Sequence, residues 1–542
     1  MPEFDVQRYR YPSHRNVVYG RHAMACTSVP QGAQIGLDIM KAGGNAMDAA
    51  VAMAAAMPMI EPTGNALGSD CFALIWVEKE KKLYGLNASG VAPLALSAEE
   101  VKRQGYDAVP AQGWLSTMVP GAPAGWAAIQ RRFGTKSLGE LFAPAIACAR
   151  EGVPVPVNVA RQWANDRKRL KKSVEDNPAA HGYFWKSFMK ENGQPYEAGD
   201  LFRWEEYART LEELAETDCE SYYRGSLMKK IVAFSQETGG YFSEEDFTSY
   251  QPQWVEPITA DYKGYTICEI PPNGHGITVL MALNILKGLD LPQERECSET
   301  YHKVLESIKL AFVDSRTYVA DPRYMKTKVK DMLSEEYAAR RRALISHEAM
   351  LPEAGDPSCG GTIYLCTADP YGNMVSFIQS NYECFGSGIA IPETGISIQC
   401  RGANFSLDPN SDNYLEGGKK SYHTIIPGFM MKDGEAVGPF GVMGGFMQPQ
   451  GHVLVAVNTI DYHMNPQECL DAPRMQWVGG KKVQLEREIP EDVRRELARR
   501  GHETEVLNSN ISMGRGQIIW RTENGILVGG TEGRCDGTIA AW

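Results

Sequence analysis

The sequence predicts an α/β (α+β) fold, and three features of its order predict it. The first two thirds read mainly as helices, because apolar residues recur at helical spacing. A break rich in Gly, Pro and acidic residues, SHEAMLPEAGDPSCGG, runs from Ser346 to Gly361. Beyond it, short apolar runs separated by turn chemistry read as strands.

Taken in order, Gln31 to Met40 is a helix (Ala33, Ile35, Leu37, Ile39, Met40), stopped by Gly43-Gly44 because glycine readily takes the left-handed cap conformation. Asn45 caps the next helix, which runs through small alanines to about Met57 and so suits burial on most sides; Pro58 and Pro62 are expected to bracket its end. Phe72 to Val77 (FALIWV) is an apolar strand, and Glu78 to Lys82 a charged hairpin tip. Leu138 to Arg150 and Ser298 to Val319 are amphipathic helices. Arg161 to Glu175 contains RKRLKK; a basic run invites nucleic acid, but a solvated helix face explains so short a run better. Past the break, Thr362 to Ala368 and Met374 to Gln379 are strands around the turn Asp369-Pro370-Tyr371-Gly372-Asn373. Thr424 to Met431 and Val437 to Met443 form a second pair around Lys432-Asp433-Gly434. A helix follows from Gln450 to about Ile460, then strands at Gln517 to Trp520 and Gly525 to Gly529.

Composition narrows the class of function without naming one. The 542 residues carry 55 Lys+Arg against 67 Asp+Glu, a net charge of −12, which disfavours a partner with a phosphate backbone. Hydrophobic residues at 43% and charged residues at 23% exclude a disordered, fibrous or membrane-embedded chain. The 12 cysteines are scattered and form no CxxC pair, as expected of buried free thiols in a reducing compartment. No apolar signal segment opens the sequence and no run is long enough to span a membrane, so a cytoplasmic protein is expected.

No GxxxxGK[ST], HExxH, GxSxG or strand-following GxGxxG is present, and the ten histidines are not spaced as paired metal ligands. What remains is Gly360-Gly361-Thr362 where the break meets the first strand. A threonine hydroxyl is a weak nucleophile without a base beside it. A free α-amino group on the same threonine, with a pKa of about 7.7–8.0, supplies that base. That amine exists only if the Gly361–Thr362 bond is cut, and the same hydroxyl can attack that carbonyl, shift the acyl group to an ester and let water release it. A β-branched residue opening an ordinary strand is the competing reading of GGT. Gly441-Val442-Met443-Gly444-Gly445 is a glycine cluster ending an apolar strand. It reads equally as a tight strand-to-helix turn or as backbone N–H groups aimed at an oxyanion.

Several separated segments resemble the γ-glutamyltranspeptidase family of N-terminal nucleophile hydrolases. AGGNAMDAAVAMAAAMPMIEP (Ala42–Pro62) and MVPGAPAGW (Met118–Trp126) are similar to its early signatures. TGGYFSEEDFTSYQPQWVEPI, IPPNGHGITVLMALNIL and AFVDSRTYVADP match later segments of its α part. DPYGNMVS, FGSGI, ETGI, ANFS, IPGFMMKDG and GVMGG match its β part in order, so the resemblance covers nearly the whole chain. It implies a four-layer αββα sandwich. It also implies a precursor cut between Gly361 and Thr362 into a large α part (1–361) and a small β part (362–542), which stay together as one structural unit. Thr362 is then nucleophile and N-terminal base, Ser380 a supporting hydroxyl, and Gly444 and Gly445 the oxyanion pair.

The substrate positions depart from the family pattern. Ser89 stands where an arginine pairs with the glutamyl α-carboxylate, and Tyr382 where an asparagine holds the glutamyl group. Arg401 and Asn404 replace a glutamine and an aspartate near the α-ammonium, and His423 and Thr424 replace paired serines. Losing one negative charge and gaining a positive one disfavours a substrate ammonium and favours a carboxylate or neutral amide.

The resemblance implies a self-processing amidohydrolase or acyltransferase that cleaves γ-glutamyl amides such as glutathione through an acyl-enzyme. The alternatives are an oxamate-like or acylase-like amide substrate and, from another class, an unprocessed binding homologue. No metal or organic cofactor is expected. The expected partners are a small-molecule amide and, in a homodimer, a second copy; no nucleic acid or membrane is expected.

Overall fold

The structure, a computed structural model, describes residues 14–352 and 361–542. Two seven-stranded sheets carry it. Their strands in chain order are β1 (Val18–Gly20), β2 (Met24–Thr27), β3 (Asp70–Val77), β4 (Lys82–Ala88), β5 (Gln253–Val255), β6 (Ile258–Tyr262) and β7 (Tyr265–Glu269). The remainder are β8 (Gly361–Ala368), β9 (Met374–Tyr382), β10 (Gly428–Lys432), β11 (Glu435–Met443), β12 (Arg515–Arg521), β13 (Leu527–Thr531) and β14 (Thr538–Ala541). One sheet runs β1-β13-β12-β11-β10-β7-β6 and the other β14-β2-β8-β9-β3-β4-β5. Their pairings are antiparallel, and strands from both sides of Thr362 occur in each.

The sheets stack because alternate residues along each strand point to opposite faces. Phe72, Leu74 and Trp76 of β3 and Tyr364 and Cys366 of β8 meet Phe429, Phe440 and Ile518 of the facing sheet. Their neighbours Ala73, Ile75, Ile363 and Leu365 turn outward, against the helices α1 (Pro30–Lys41) and α2 (Ala46–Ile60). Helices α3 (Ala122–Phe133), α4 (Leu138–Glu151) and α5 (Val157–Asp176) complete that outer layer. On the other side α6 (Gly276–Leu286), α7 (Ser298–Tyr318) and α8 (Met447–Ile460) cover the first sheet. The result is the expected four-layer αββα sandwich. Among the described residues no helix is long and apolar enough to cross a membrane.

Helix α2 shows how sequence builds the core. Asn45 and Asp48 form a reciprocal capping box, and every residue from Ala46 to Ile60 is buried. Burying Met53 and Met57 contributes about 1.5–3 kcal/mol each. The helix continues through Pro58 rather than ending before it. Proline lacks the N–H that would bond the Ala54 carbonyl; Gln379 Nε2 lies 3.5 Å from that oxygen, and Tyr207 Oη donates to the Ala55 carbonyl at 2.6 Å.

Three further expectations are corrected. β3 begins at Asp70, two residues before its apolar run. The strand expected from Thr424 begins only at Gly428, because earlier N–H groups are bonded sideways: His423 N–H to the Asn273 carbonyl and Ile426 N–H to Gln448 Oε1. The last expected strand starts at Leu527, past a turn at Gly525 with φ +80°. The basic run lies on α5, where Lys168, Lys171 and Lys172 are exposed. Of the predicted break at 346–361, 353–360 lie outside the described residues.

Candidate active site

Thr362, Ser380 and Asp70 lie on three adjacent strands, β8, β9 and β3, and all three are buried. They share the face that looks into the sandwich, in phase with Tyr364, Ile378 and Phe72. Thr362 Oγ1 is 3.0 Å from Ser380 Oγ. A register shift between Gly361 and Ile363 sets the position of Thr362 against β9. Behind it Gly64 presses on the strand: a Cβ there would lie 3.2 Å from the Thr362 carbonyl oxygen.

The Ser380 hydroxyl is tied on further sides. Tyr382 N–H donates to its Oγ at 2.8 Å and Arg401 Nη2 at 3.1 Å. Arg401 also donates through Nη1 to Thr424 Oγ1, and its guanidinium stacks on the Tyr382 ring, 4.6 Å from the centroid. Tyr382 has φ +77°, a left-handed backbone that costs free energy in a bulky residue and is held here by those contacts. Thr362, Ser380, Tyr382, Arg401 and Thr424 therefore form one connected group.

Asp70 anchors the group electrostatically. It accepts from His423 Nε2 at 2.9 Å, Gly90 N–H at 3.0 Å and Gln399 Nε2 at 3.4 Å. Burial pushes its carboxyl up to about 7, against the pull of the Arg401 charge. Burial holds the Arg401 guanidinium down to about 10. His423 is held well below the usual imidazole range by burial and by the nearby Arg401 charge. It is thus neutral, donates through Nε2–H to Asp70, and accepts the Ile425 N–H on Nδ1 at 3.4 Å.

Ser89 lies just past β4, in a neighbouring network rather than bonded to Thr362. Its hydroxyl donates to Asn87 Oδ1 at 2.7 Å, and Lys420 Nζ donates to its carbonyl at 3.1 Å. Asn404 is half-buried; its carbonyl accepts from Asn413 Nδ2 at 2.6 Å, but its own amide Nδ2 has no acceptor. Among the described residues two other buried donors, Arg401 Nε and Asn381 Nδ2, likewise lack an acceptor. Gly444 and Gly445 take φ +135° and +56° at the turn into α8. Their carbonyls accept Met447 N–H and Gln448 N–H, which turns the oxygens toward the helix. Gly444 lines a cleft of about 260 Å³ together with Glu383 and Cys384, the residues that follow Tyr382.

Sequence reasoning missed Asp70, Asn381, Lys420 and Asn273. Asp70 had one visible signal, a carboxylate opening an otherwise apolar strand. Lys420 had none, since a Lys-Lys pair after glycines looks like surface charge. Among the described residues, His302, Glu306 and His502 come close enough to hold a metal. Lys309 already fills that position, donating to Glu306 Oε1 at 2.7 Å, and its ammonium would repel a dication.

Comparison with known proteins agrees with this geometry. The family model described as gamma-glutamyltranspeptidase matches residues 32–542. A glutathione hydrolase-like YwrD proenzyme of Bacillus subtilis (strain 168) is 32% identical, over 96% of this chain and 98% of its own. The acylase ACY 1 proenzyme of Pseudomonas sp. (strain V22) is 30% identical, over 96% and 94%. The crystal structure of a cephalosporin acylase from Bacillus halodurans superposes with a TM-score of 0.96 at 50% identity, covering 100% of this chain and 99% of that one. Because the family match runs through both sides of Thr362 and takes in every residue of the site, the chain belongs to the gamma-glutamyltranspeptidase family, whose members are N-terminal nucleophile amidohydrolases.

Proposed function

We propose that the chain is a self-processing N-terminal-threonine amidohydrolase whose acyl substrate carries a carboxylate and no ammonium. The observation that carries the reading is the buried Arg401 guanidinium, whose Nε has no acceptor among the described residues, together with the likewise unpaired amide donors Asn381 Nδ2 and Asn404 Nδ2. A buried cation and unpaired N–H donors suit carboxylate or carbonyl oxygens and oppose an ammonium. The acylase names of two relatives support it.

In this reading, cleavage before Thr362 frees its amine, which takes the proton as Oγ1 attacks the amide carbonyl. Ser380 and Arg401 hold the nucleophile's position. The Gly444 and Gly445 N–H groups stabilise the tetrahedral oxyanion, the amine leaves, and water resolves the acyl-enzyme.

The first test is denaturing electrophoresis. Bands near ~40 and ~20 kDa, scaled by length, are expected, with Thr362→Ala staying whole. A wild-type chain that stays whole on incubation would favour a non-catalytic binding homologue instead. The second test compares glutaryl- and γ-glutamyl-p-nitroanilide, which differ only by the α-ammonium. Faster release from the glutaryl compound is expected. Robust release from the γ-glutamyl compound would restore glutathione-type amides as the substrate class.

A further inference from the structure

A cleft of about 810 Å³ opens where Asn87, Asn273, Tyr250 and Lys420 converge. Lys420 is only 6% exposed, yet no carboxylate lies within 4.0 Å of its ammonium among the described residues. Nζ rests on three neutral oxygens: the Ser89 carbonyl at 3.1 Å, Ser89 Oγ at 3.3 Å and Asn87 Oδ1 at 3.3 Å. The other charges on the cleft are spoken for. Asp321 is held by the Arg323 guanidinium, and Asp246 caps its own helix and accepts the Leu94 N–H. Asp70 and Asp321 act on this ammonium from beyond hydrogen-bond range, and a buried cation whose hydrogen-bond partners are all neutral is further stabilised by an anion that can reach it.

The cleft is coupled to the reaction centre through β3. Asp70 is the register partner of Ser380 and accepts the Gly90 N–H, next to Ser89. Three strand spacings of about 4.8 Å put Ser89 roughly 14 Å across the sheet from Thr362. An acyl group must span about that distance to bring its far end to Lys420.

We propose that Lys420, seated on Ser89 and Asn87, is the recognition point for a carboxylate at the far end of an extended acyl chain bound across the sheet from Thr362. This rests on the amidohydrolase reading above. It adds the length of the acyl group and the residue that selects it. The charge stands on the acyl side of the scissile bond, not on the leaving amine.

The test uses processed wild-type protein, Lys420→Met, Lys420→Gln as a second neutral variant, and Lys420→Arg. Calorimetric titration with glutarate, adipate and suberate, each against its neutral diamide, reads binding without turnover. The neutral variants are expected to weaken suberate roughly 10- to 100-fold, as for loss of a charged hydrogen bond, while Lys420→Arg stays within a few-fold. In kinetics, the suberoyl-to-octanoyl p-nitroanilide ratio of kcat/KM should fall by the same factor. The ratio for N-octanoyl-4-aminobenzoate, whose carboxylate sits on the leaving amine, should not move. Equal diacid affinity in wild type and the neutral variants, no diacid binding at all, or a fall only in the aminobenzoate ratio overturns the proposal. If no anilide is cut but suberate binding still depends on Lys420, the anion site stands and the amidohydrolase reading falls.

Discussion

Arg401 and Lys420 are both buried cations, but they are held in different ways. Arg401 spends its hydrogen bonds on the hydroxyls of Ser380 and Thr424 and its flat face on Tyr382. Lys420 keeps a compact charge at the wall of a cleft, and burial lowers its ammonium to about 8. The charges that act on it are Asp70 on β3 and Asp321 and Arg323 beyond α7; His423 on its own segment is neutral. Below pH 8 Lys420 is charged, so diacid binding should be strong there and weaken as pH rises through 8. In Lys420→Arg that loss should vanish, because guanidinium stays protonated; binding titrations from pH 6 to 10 check it. Asp70→Asn removes the one carboxylate shared by Arg401, Lys420 and His423. It should cost about 3 kcal/mol, as when one partner of a buried charge set is removed, seen as a lower urea midpoint at unchanged m-value.

At the scale of elements, the cap of α2 illustrates a local pattern with a distant purpose. The Asp48 carboxylate accepts not only the Asn45 N–H at 2.9 Å but also Thr135 N–H at 2.9 Å and Lys136 N–H at 3.3 Å. Asn45→Ala should therefore cost only about 1 kcal/mol, the usual value for a helix cap. Asp48→Ala removes the acceptor of three backbone N–H groups, one on a buried residue and two on partly exposed ones, and should cost more, about 2–3 kcal/mol; thermal unfolding of the two variants separates them. The same contrast explains what the sequence could tell. The α1 span, the start of α2, the turn at Asp369–Asn373 and the opening of β8 were legible because their signals are local. The late start of β10 was not, since the competing acceptors, Asn273 and the Gln448 side chain, lie elsewhere in the chain. Among site residues, Thr362, Ser380, Tyr382, Arg401 and Thr424 were readable from motif order, and the structure joins them. Asp70 and Lys420 matter through partners such as His423 and Ser89, hundreds of positions away; a carboxylate opening an apolar strand is the one local mark of Asp70, and Lys420 has none.

At the scale of the molecule, the two sides of Thr362 are woven together. β8 lies between β2 and β9, and β9 in turn pairs with β3. Cleavage at one bond should leave this ladder intact. Native mass analysis of the processed protein should show both fragments in one particle, with separation only in denaturant. Fragments that part under native conditions would contradict the interleaved sheets.

That interleaving gives the uncut bond a role in assembly. β8 is an interior strand whose neighbour β2 comes from the other side of the proposed cut. While the chain is whole, the link between the two sides supplies that neighbour at a high effective concentration, and once the sheet has closed the link is dispensable. Two genes encoding 1–361 and 362–542 should then yield little active enzyme when co-expressed, even though the proposed cleavage would produce those same two chains. Recovery of full activity from the split pair would show that the linkage contributes nothing to folding.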